Sequence, residues 1–232
     1  MNPSNVKISC IMPAYNEGPR IGNVLSVACK HHLIDEIIVI DDGSIDNTRD
    51  VALQFEKVNF IQHEKNKGKT LAIITGLTHA KNDLVCFLDA DLVDLSYENI
   101  TDLIEPVLQN KVGVSISMRK NSPWIDRVIG IDYISGERVY NKHILDDHLK
   151  TMETLPKFGM ETFLNSIIIK NKIPIHVVFW KNVESPYKAK KLGKKALLDG
   201  FLCEVDMIRD IVKVTGIFGV VNQFIQMRRL MK

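Results

Sequence analysis

Two kinds of apolar pattern alternate along the first half of the chain. Continuous apolar runs of strand length occur at 7–12, 36–40, 58–61 and 85–88, and Glu36-Ile37-Ile38-Val39-Ile40 is almost wholly β-branched. Between them lie stretches with apolar residues every three or four positions, such as Ile21, Val24, Leu25 and Ala28 within 20–31, and the apolar segment 70–80. The continuous runs predict strands covered on both faces, and the spaced ones predict helices with one buried stripe. Pro13 closes the first run with a loop, and Asp46 or Asn47 can cap a helix before the third strand. Repeated strand–helix alternation predicts parallel βαβ units, and right-handed crossovers turn these into a doubly wound α/β sheet.

Farther along, Ser96 opens a helix reaching Gln109, 112–118 reads as a strand followed by Arg119, 160–170 has helical spacing, and 173–180 reads as a last strand. Segment 123–135 sets Trp124 among charged residues and reads as a partly exposed lid or acceptor segment. Beyond 194 the pattern is helical with a break at Gly216. The spacing in 201–214 suits core packing, whereas 217–232 suits a membrane surface or an oligomer contact. With no internal repeat or low-complexity linker, the expected organisation is one domain over 1–193, divided near 120, and a helical extension over 194–232.

Composition narrows the classes. A chain of 232 residues can bury a substantial core, and a net charge of +2 argues against a dedicated nucleic-acid binder. The charge is uneven, because Lys188, Lys190, Lys191, Lys194 and Lys195 crowd together before the helical extension. That cluster is open to two readings, a dock for anionic lipid or a solvated loop feeding a packed helix pair. Cys10, Cys29, Cys86 and Cys203 show no metal-ligand spacing and read as small hydrophobes in a reducing compartment. The polar start of the chain and the lack of an apolar stretch of ~20 residues predict a cytoplasmic protein, soluble or peripheral at the inner face of a membrane.

Acids gather where three of the predicted strands end: Glu17 after the first, Asp41 and Asp42 after the second, Asp89 and Asp91 after the fourth. Ligands of open α/β sheets bind beyond the carboxyl ends of the strands. Two carboxylates spaced i, i+2 can share one divalent cation, because Mg²⁺ and Mn²⁺ take hard oxygen ligands. The plainer alternative for such a pair is solvated turn aspartates.

Pro13-Ala14-Tyr15-Asn16-Glu17, Asp41-Asp42-Gly43-Ser44, Asn66-Lys67-Gly68-Lys69 and Asp89-Ala90-Asp91, in this order, resemble the GT-A fold of family 2 glycosyltransferases. The match is close over about the first 120 residues. It continues more loosely through Ser135-Gly136-Glu137-Arg138 and Phe158-Gly159-Met160-Glu161-Thr162 to Gly193. Within that family the chain is similar to polyprenyl- and dolichyl-phosphate sugar synthases and to glucosyl-3-phosphoglycerate synthase-like enzymes.

The resemblance implies a nucleotide-sugar half over 1–120 and an acceptor half over 121–193. It implies a UDP- or GDP-hexose donor held by Pro13, Ala14, Tyr15, Glu17, Asp42, Lys69, Asp89, Ala90 and Asp91, with Glu17 and Asp42 on the nucleoside. It further implies a Mg²⁺ or Mn²⁺ on Asp91, with Asp89 on the metal's waters or the donor ribose. Arg119, Ser135, Gly136 and Arg138 fall on the acceptor or phosphate side, although either arginine could be a surface residue. Glu161 falls where the family places an acid near the acceptor, and could be a general base or only position a substrate.

One departure is visible. Related enzymes often complete the metal site with a histidine after the last strand, but 180–187 contains none. Glu184 or water could stand in, while His176 lies inside the strand. The reading is therefore metal-dependent, inverting transfer of a hexose to a phosphorylated acceptor, with a polyprenyl phosphate ahead of a small metabolite. A saccharide hydroxyl acceptor with Glu161 as base is the alternative, and a non-catalytic nucleotide-sugar scaffold is the reading from another class. A homodimer is open. A nucleotidyltransferase fits less well, for want of a glycine-rich phosphate loop in the first strand–loop unit.

Overall fold

The computed structural model describes residues 7–156, 159–186, 206 and 209–232. Seven strands form one sheet: β1 (Ile8–Ala14), β2 (Ile34–Asp41), β3 (Val58–Gln62), β4 (Leu84–Phe87), β5 (Val114–Arg119), β6 (Arg138–Asn141) and β7 (Ile175–Trp180). Their order across the sheet is β3-β2-β1-β4-β6-β5-β7. Only β6 runs antiparallel to its neighbours, so β1, β2, β4, β5 and β7 end at one edge.

The continuous apolar runs are buried on both faces, as parallel strands flanked by helices require. Alternate side chains go to opposite sides: Cys10, Met12, Ile37, Val39 and Cys86 to one core, Ile11, Ile38, Ile40, Val85 and Phe87 to the other. The first core is covered by α1 (Gly18–Ala28) and α4 (Tyr97–Leu108) through Ile21, Val24, Leu25, Ile100, Leu103 and Ile104. The second is covered by α3 (Lys69–His79), α8 (Met160–Lys170) and α9 (Ile217–Leu230) through residues such as Ile73, Leu77, Leu164, Ile168 and Met227. Shorter helices are α2 (Thr48–Ala52), α5 (Trp124–Ile129), α6 (His143–Asp146) and α7 (Leu149–Met152). Gly76 brings α3 close onto the sheet, since a Cβ there would lie 2.4 Å from Ile11 Cγ2. The N-terminal turn of α3, carrying Lys69, is thereby held beside the strand ends.

Three expectations change. β1 continues through Pro13 and Ala14, which pair with Ile40 and Asp41. β4 has left the ladder after Ile11↔Phe87, so the missing Pro13 N–H deprives no second neighbour. β7 begins at Ile175, just after Pro174, rather than at Ile173. Ser135 and Gly136 lie just before β6, a short strand that the sequence pattern does not predict, wedged between β4 and β5. α4, expected to open at Ser96, does so with a full capping box, Ser96 Oγ accepting from Asn99 N–H and Asn99 Oδ1 accepting from Ser96 N–H. The boundary expected near 193 and the lysine cluster 188–195 lie outside the described residues, as does Phe158.

Candidate functional site

At the ends of β1 and β2, Asp41 and Asp42 are both buried. Asp41 accepts from Ser44 N–H at 3.0 Å and from Gln62 Nε2 at 3.2 Å, ordering the turn after β2. Asp42 accepts from Lys67 N–H at 2.9 Å and Gly68 N–H at 2.7 Å, and its other contact is His63 Nδ1 at 2.8 Å. It therefore ties the Asn66–Lys69 loop to the strand end, and with three partners it keeps one lone-pair direction for a ligand. Glu17 stands at the start of α1 with its carboxylate against Arg20 Nε at 2.5 Å. Tyr15, beside it, is half exposed.

Beyond β4 the chain turns through Leu88, Asp89, Ala90 and Asp91. Lys69 Nζ, at the head of α3, lies 2.8 Å from Asp89 Oδ1 and 3.5 Å from Glu161 Oε1 in the first turn of α8. Burial alone would pull the ammonium down, but the two carboxylates outweigh it and hold Lys69 above the ordinary lysine range. Gly136 makes the meeting possible: a Cβ there would stand 2.5 Å from Lys69 Nζ and 3.0 Å from each Asp89 oxygen. The side chain missing at Gly136 thus admits the Lys69–Asp89 pair. Asp91, on the same turn, accepts from Ser185 Oγ at 3.2 and 3.3 Å.

Behind these groups is a buried polar layer. Arg119 pairs with Glu137 at 3.3 Å and Asp132 at 3.4 Å. Glu137 Oε2 accepts from Ser117 and Ser135 hydroxyls at 2.8 and 2.9 Å, and Asp132 accepts from Ser122 Oγ at 2.5 Å. Burial raises the Glu137 carboxyl, with Arg119 opposing and Asp89 adding to the rise. Asp126 on α5 is pushed up to about 7 by burial and by the neighbouring Asp132. Arg119 is thus already balanced by two carboxylates, although its Nε has no partner among the described residues.

Arg138 requires a correction. It is neither a phosphate clamp at the rim nor a surface arginine, because β6 places it 1% exposed in the core. Its guanidinium donates to the carbonyls of Ser135 and Tyr133, to Asn165 Oδ1 and to Tyr140 Oη. Those bonds hold the turn that carries Gly136. Arg119 is likewise no surface arginine. Glu184 also departs from expectation: it faces Lys120 at 2.7 Å, and its backbone bridges to Val93. Among the described residues no group of three or more His, Cys, Asp or Glu stands close enough to hold an ion.

Of the expected residues, Lys69, Asp89, Gly136 and Glu161 converge, and Asp91 is adjacent; Glu17 and Asp42 line the neighbouring strand ends. Asp89 and Asp91 give two hard oxygen donors on one turn, and Ser185 adds a hydroxyl. That set suits Mg²⁺ or Mn²⁺ with phosphate and water completing the shell, and is too oxygen-rich for a soft ion. Sequence reasoning missed Glu137, Asp132 and Ser185. A charged residue just before a buried strand was the available signal for Glu137; Ser185 carried none. No described helix is long and apolar enough to cross a membrane.

Comparison with known proteins bears on the family and the fold. The family model described as glycosyl transferase family 2 matches residues 9–165. The UDP-N-acetylglucosamine–dolichyl-phosphate N-acetylglucosaminyltransferase of Methanococcus voltae is 30% identical, over 78% of this chain and 87% of that one. The dolichyl-phosphate beta-glucosyltransferase of Dictyostelium discoideum is 25% identical, over 92% of this chain and 75% of that one. Among solved structures, glucosyl-3-phosphoglycerate synthase of Mycobacterium tuberculosis in complex with Mn²⁺, UDP and glucosyl-3-phosphoglycerate shares the fold. It aligns with a TM-score of 0.71 at 22% identity, covering 92% of this chain and 81% of that one. A family match spanning most of the sheet, on a chain whose acids gather at the ends of β1, β2 and β4, means that this protein belongs to glycosyl transferase family 2 and is a glycosyltransferase.

Proposed function

We propose that this chain transfers a hexose from a UDP- or GDP-sugar to a phosphorylated acceptor, a polyprenyl phosphate ahead of a small phosphorylated metabolite, with inversion. The observation that supports this acceptor class best is Lys69, held between Asp89 and Glu161. The Glu161 carboxylate, 3.5 Å from Lys69 Nζ, already takes part in an ion pair, so it suits positioning better than general-base work. A phosphate monoester, anionic at neutral pH, needs no base. The relatives named for dolichyl phosphate support the same class.

In the reaction, an oxygen of the acceptor phosphate forms a bond to the anomeric carbon. The bond from that carbon to the nucleoside diphosphate breaks, and the diphosphate leaves with the electron pair. Negative charge therefore grows on the leaving phosphate, and stabilising it is the main demand on the protein. A divalent cation held by Asp91 and Asp89 would supply that stabilisation when bound. Lys69 adds a second positive charge beside Asp89. Glu17 and the remaining acceptor site of Asp42 bind nucleoside hydroxyl or N–H groups, with Tyr15 available to stack on the base. Pro13, Ala14 and Ala90 shape the floor of the donor pocket. Ser135 and Gly136 form the acceptor wall, and Arg119 backs it with one unused N–H.

The test is a thermal-shift screen of UDP, GDP and their hexose conjugates, with and without Mn²⁺. At about 100 times Kd a ligand raises Tm by roughly 5–10 °C in a domain of this size. The expected result is a metal-dependent shift for one nucleotide, lost in Asp91→Ala. No shift for any nucleotide overturns the donor site. For the acceptor, Glu161→Gln is expected to retain transfer to a polyprenyl phosphate within about tenfold of the parent; a loss of 10²-fold or more would restore a general base and a hydroxyl acceptor.

A further inference from the structure

A second surface lies on the same sheet edge as the strand-end acids. Beyond the ends of β5 and β7, a cavity of about 660 Å³ is lined by Trp124 and Val128 of α5, Phe179 of β7, and the cations Lys120, Arg127 and Lys181. The apolar members are unusually open: Trp124 is 76% exposed, Val128 71% and Phe179 56%. Isolated exposed apolar residues need no explanation, but a contiguous group of them around one depression marks an interaction site. Among the described residues no acid lines the depression. Lys120 is partly balanced by Glu184 at 2.7 Å, and Arg119, at its inner wall, by Glu137 and Asp132. Arg127 and Lys181 are exposed.

We propose that this Trp124–Val128–Phe179 depression, rimmed by Lys120, Arg127 and Lys181, docks the protein on an anionic lipid bilayer. Charge complementarity selects the partner. An all-cationic rim suits anionic headgroups, and tryptophan over an apolar floor suits the interfacial zone just below them. Position agrees: β5 runs parallel to β4, so headgroups at this depression lie at the edge that carries Asp89 and Asp91. Arg119 reaches both the depression and Glu137, which makes the two sites neighbours through one residue. The proposal does not depend on which sugar or acceptor is used.

The chain has a built-in reporter. Of its two tryptophans, Trp124 is exposed, while Trp180 is 1% exposed with its Nε1 donating to Asn99 O. Titration with phosphatidylcholine vesicles containing phosphatidylglycerol is expected to shift Trp124 emission to the blue, and added salt to weaken the effect. Pure phosphatidylcholine is expected to give little. Arg127→Ala and Lys181→Ala are each expected to weaken binding in a vesicle flotation assay by about fivefold, and Trp124→Phe to remove the spectral change. Tm and nucleotide-induced shifts should be unaltered in all three, which separates loss of docking from loss of fold or donor site. The proposal is overturned if the parent ignores anionic vesicles, or if the charge variants bind them as well as the parent. It is also overturned if Phe218→Ser, on α9, abolishes binding that these variants retain, or if the blue shift appears without lipid and grows with protein concentration, since that is self-association.

Discussion

At Gly136 one methyl group would decide whether Lys69 and Asp89 can meet. The added Cβ would lie 2.5 Å from Lys69 Nζ, the mobile end of a long side chain, and 3.0 Å from both oxygens of Asp89, a short side chain fixed at the end of β4. Lys69 can swing aside; Asp89 cannot move without the turn that also carries Asp91. Gly136→Ala is therefore expected to lower stability by only about 1 kcal/mol. Nucleotide affinity in the presence of Mn²⁺ should fall by about tenfold, the equivalent of one lost charge-assisted bond. Calorimetric titration of the variant checks this, and unchanged affinity would mean that the contact at Gly136 is only packing. The same residue bears on what the sequence could reveal. The sequence places Gly136 on the acceptor or phosphate side, but only the folded positions of α3 and β4 identify Lys69 and Asp89 as the groups that approach it.

Among the elements, β6 separates what was legible from what was not. β1, β2 and β4 are continuous apolar runs buried on both faces, so their existence, parallel order and terminal acids could be read from the residues alone. β6 has only four residues, begins with an arginine and ends with an asparagine, and owes its conformation to pairing with β4 and β5. Nothing local announces that a guanidinium will be buried there, because its acceptors, Tyr133 O, Ser135 O and Asn165 Oδ1, come from another turn and from α8. From the sequence alone Arg138 fits either a phosphate-gripping or a surface residue, and it is neither. Its actual place leads to a stability prediction: Arg138→Met keeps much of the volume but takes the guanidinium donors from Ser135 O and Asn165 Oδ1, and leaves Tyr133 O with only Asn165 Nδ2. Such a loss is expected to lower unfolding free energy by about 3–5 kcal/mol, measured by urea denaturation. A change below about 1 kcal/mol would mean that water replaces the guanidinium.

Over the whole molecule, the pH dependence of stability is set by buried groups far apart, and two of them oppose each other. His31 sits under α4, 0% exposed, its ring tilted against Tyr97 with centroids 4.1 Å apart and bonded to Thr101 Oγ1 at 2.9 Å. Burial, and then the neighbouring His32, lowers it from 6.5 to about 4. Asp126, on the buried face of α5, is raised from 3.8 to about 7 by burial and Asp132. For His31 the unfolded chain takes up the proton first, so its contribution is complete above 6.5 and is lost as pH falls toward 4. For Asp126 the folded chain keeps the proton, so its contribution is complete below 3.8 and is lost as pH rises toward 7. The full effects are roughly 3 and 4 kcal/mol, with slopes of about 1.4 kcal/mol per pH unit of opposite sign across the shared window. These two groups therefore largely cancel between pH ~4 and ~6.5 in the parent. Removing either unmasks the other. Asp126→Asn should make stability rise from pH 5 to pH ~6.5, and His31→Gln should make it fall steadily to pH ~7. Urea unfolding of the three proteins at a series of pH values reads this directly. Parallel profiles for all three would mean that neither group is perturbed by its surroundings, whereas profiles that diverge in opposite directions would tie each slope to its buried residue.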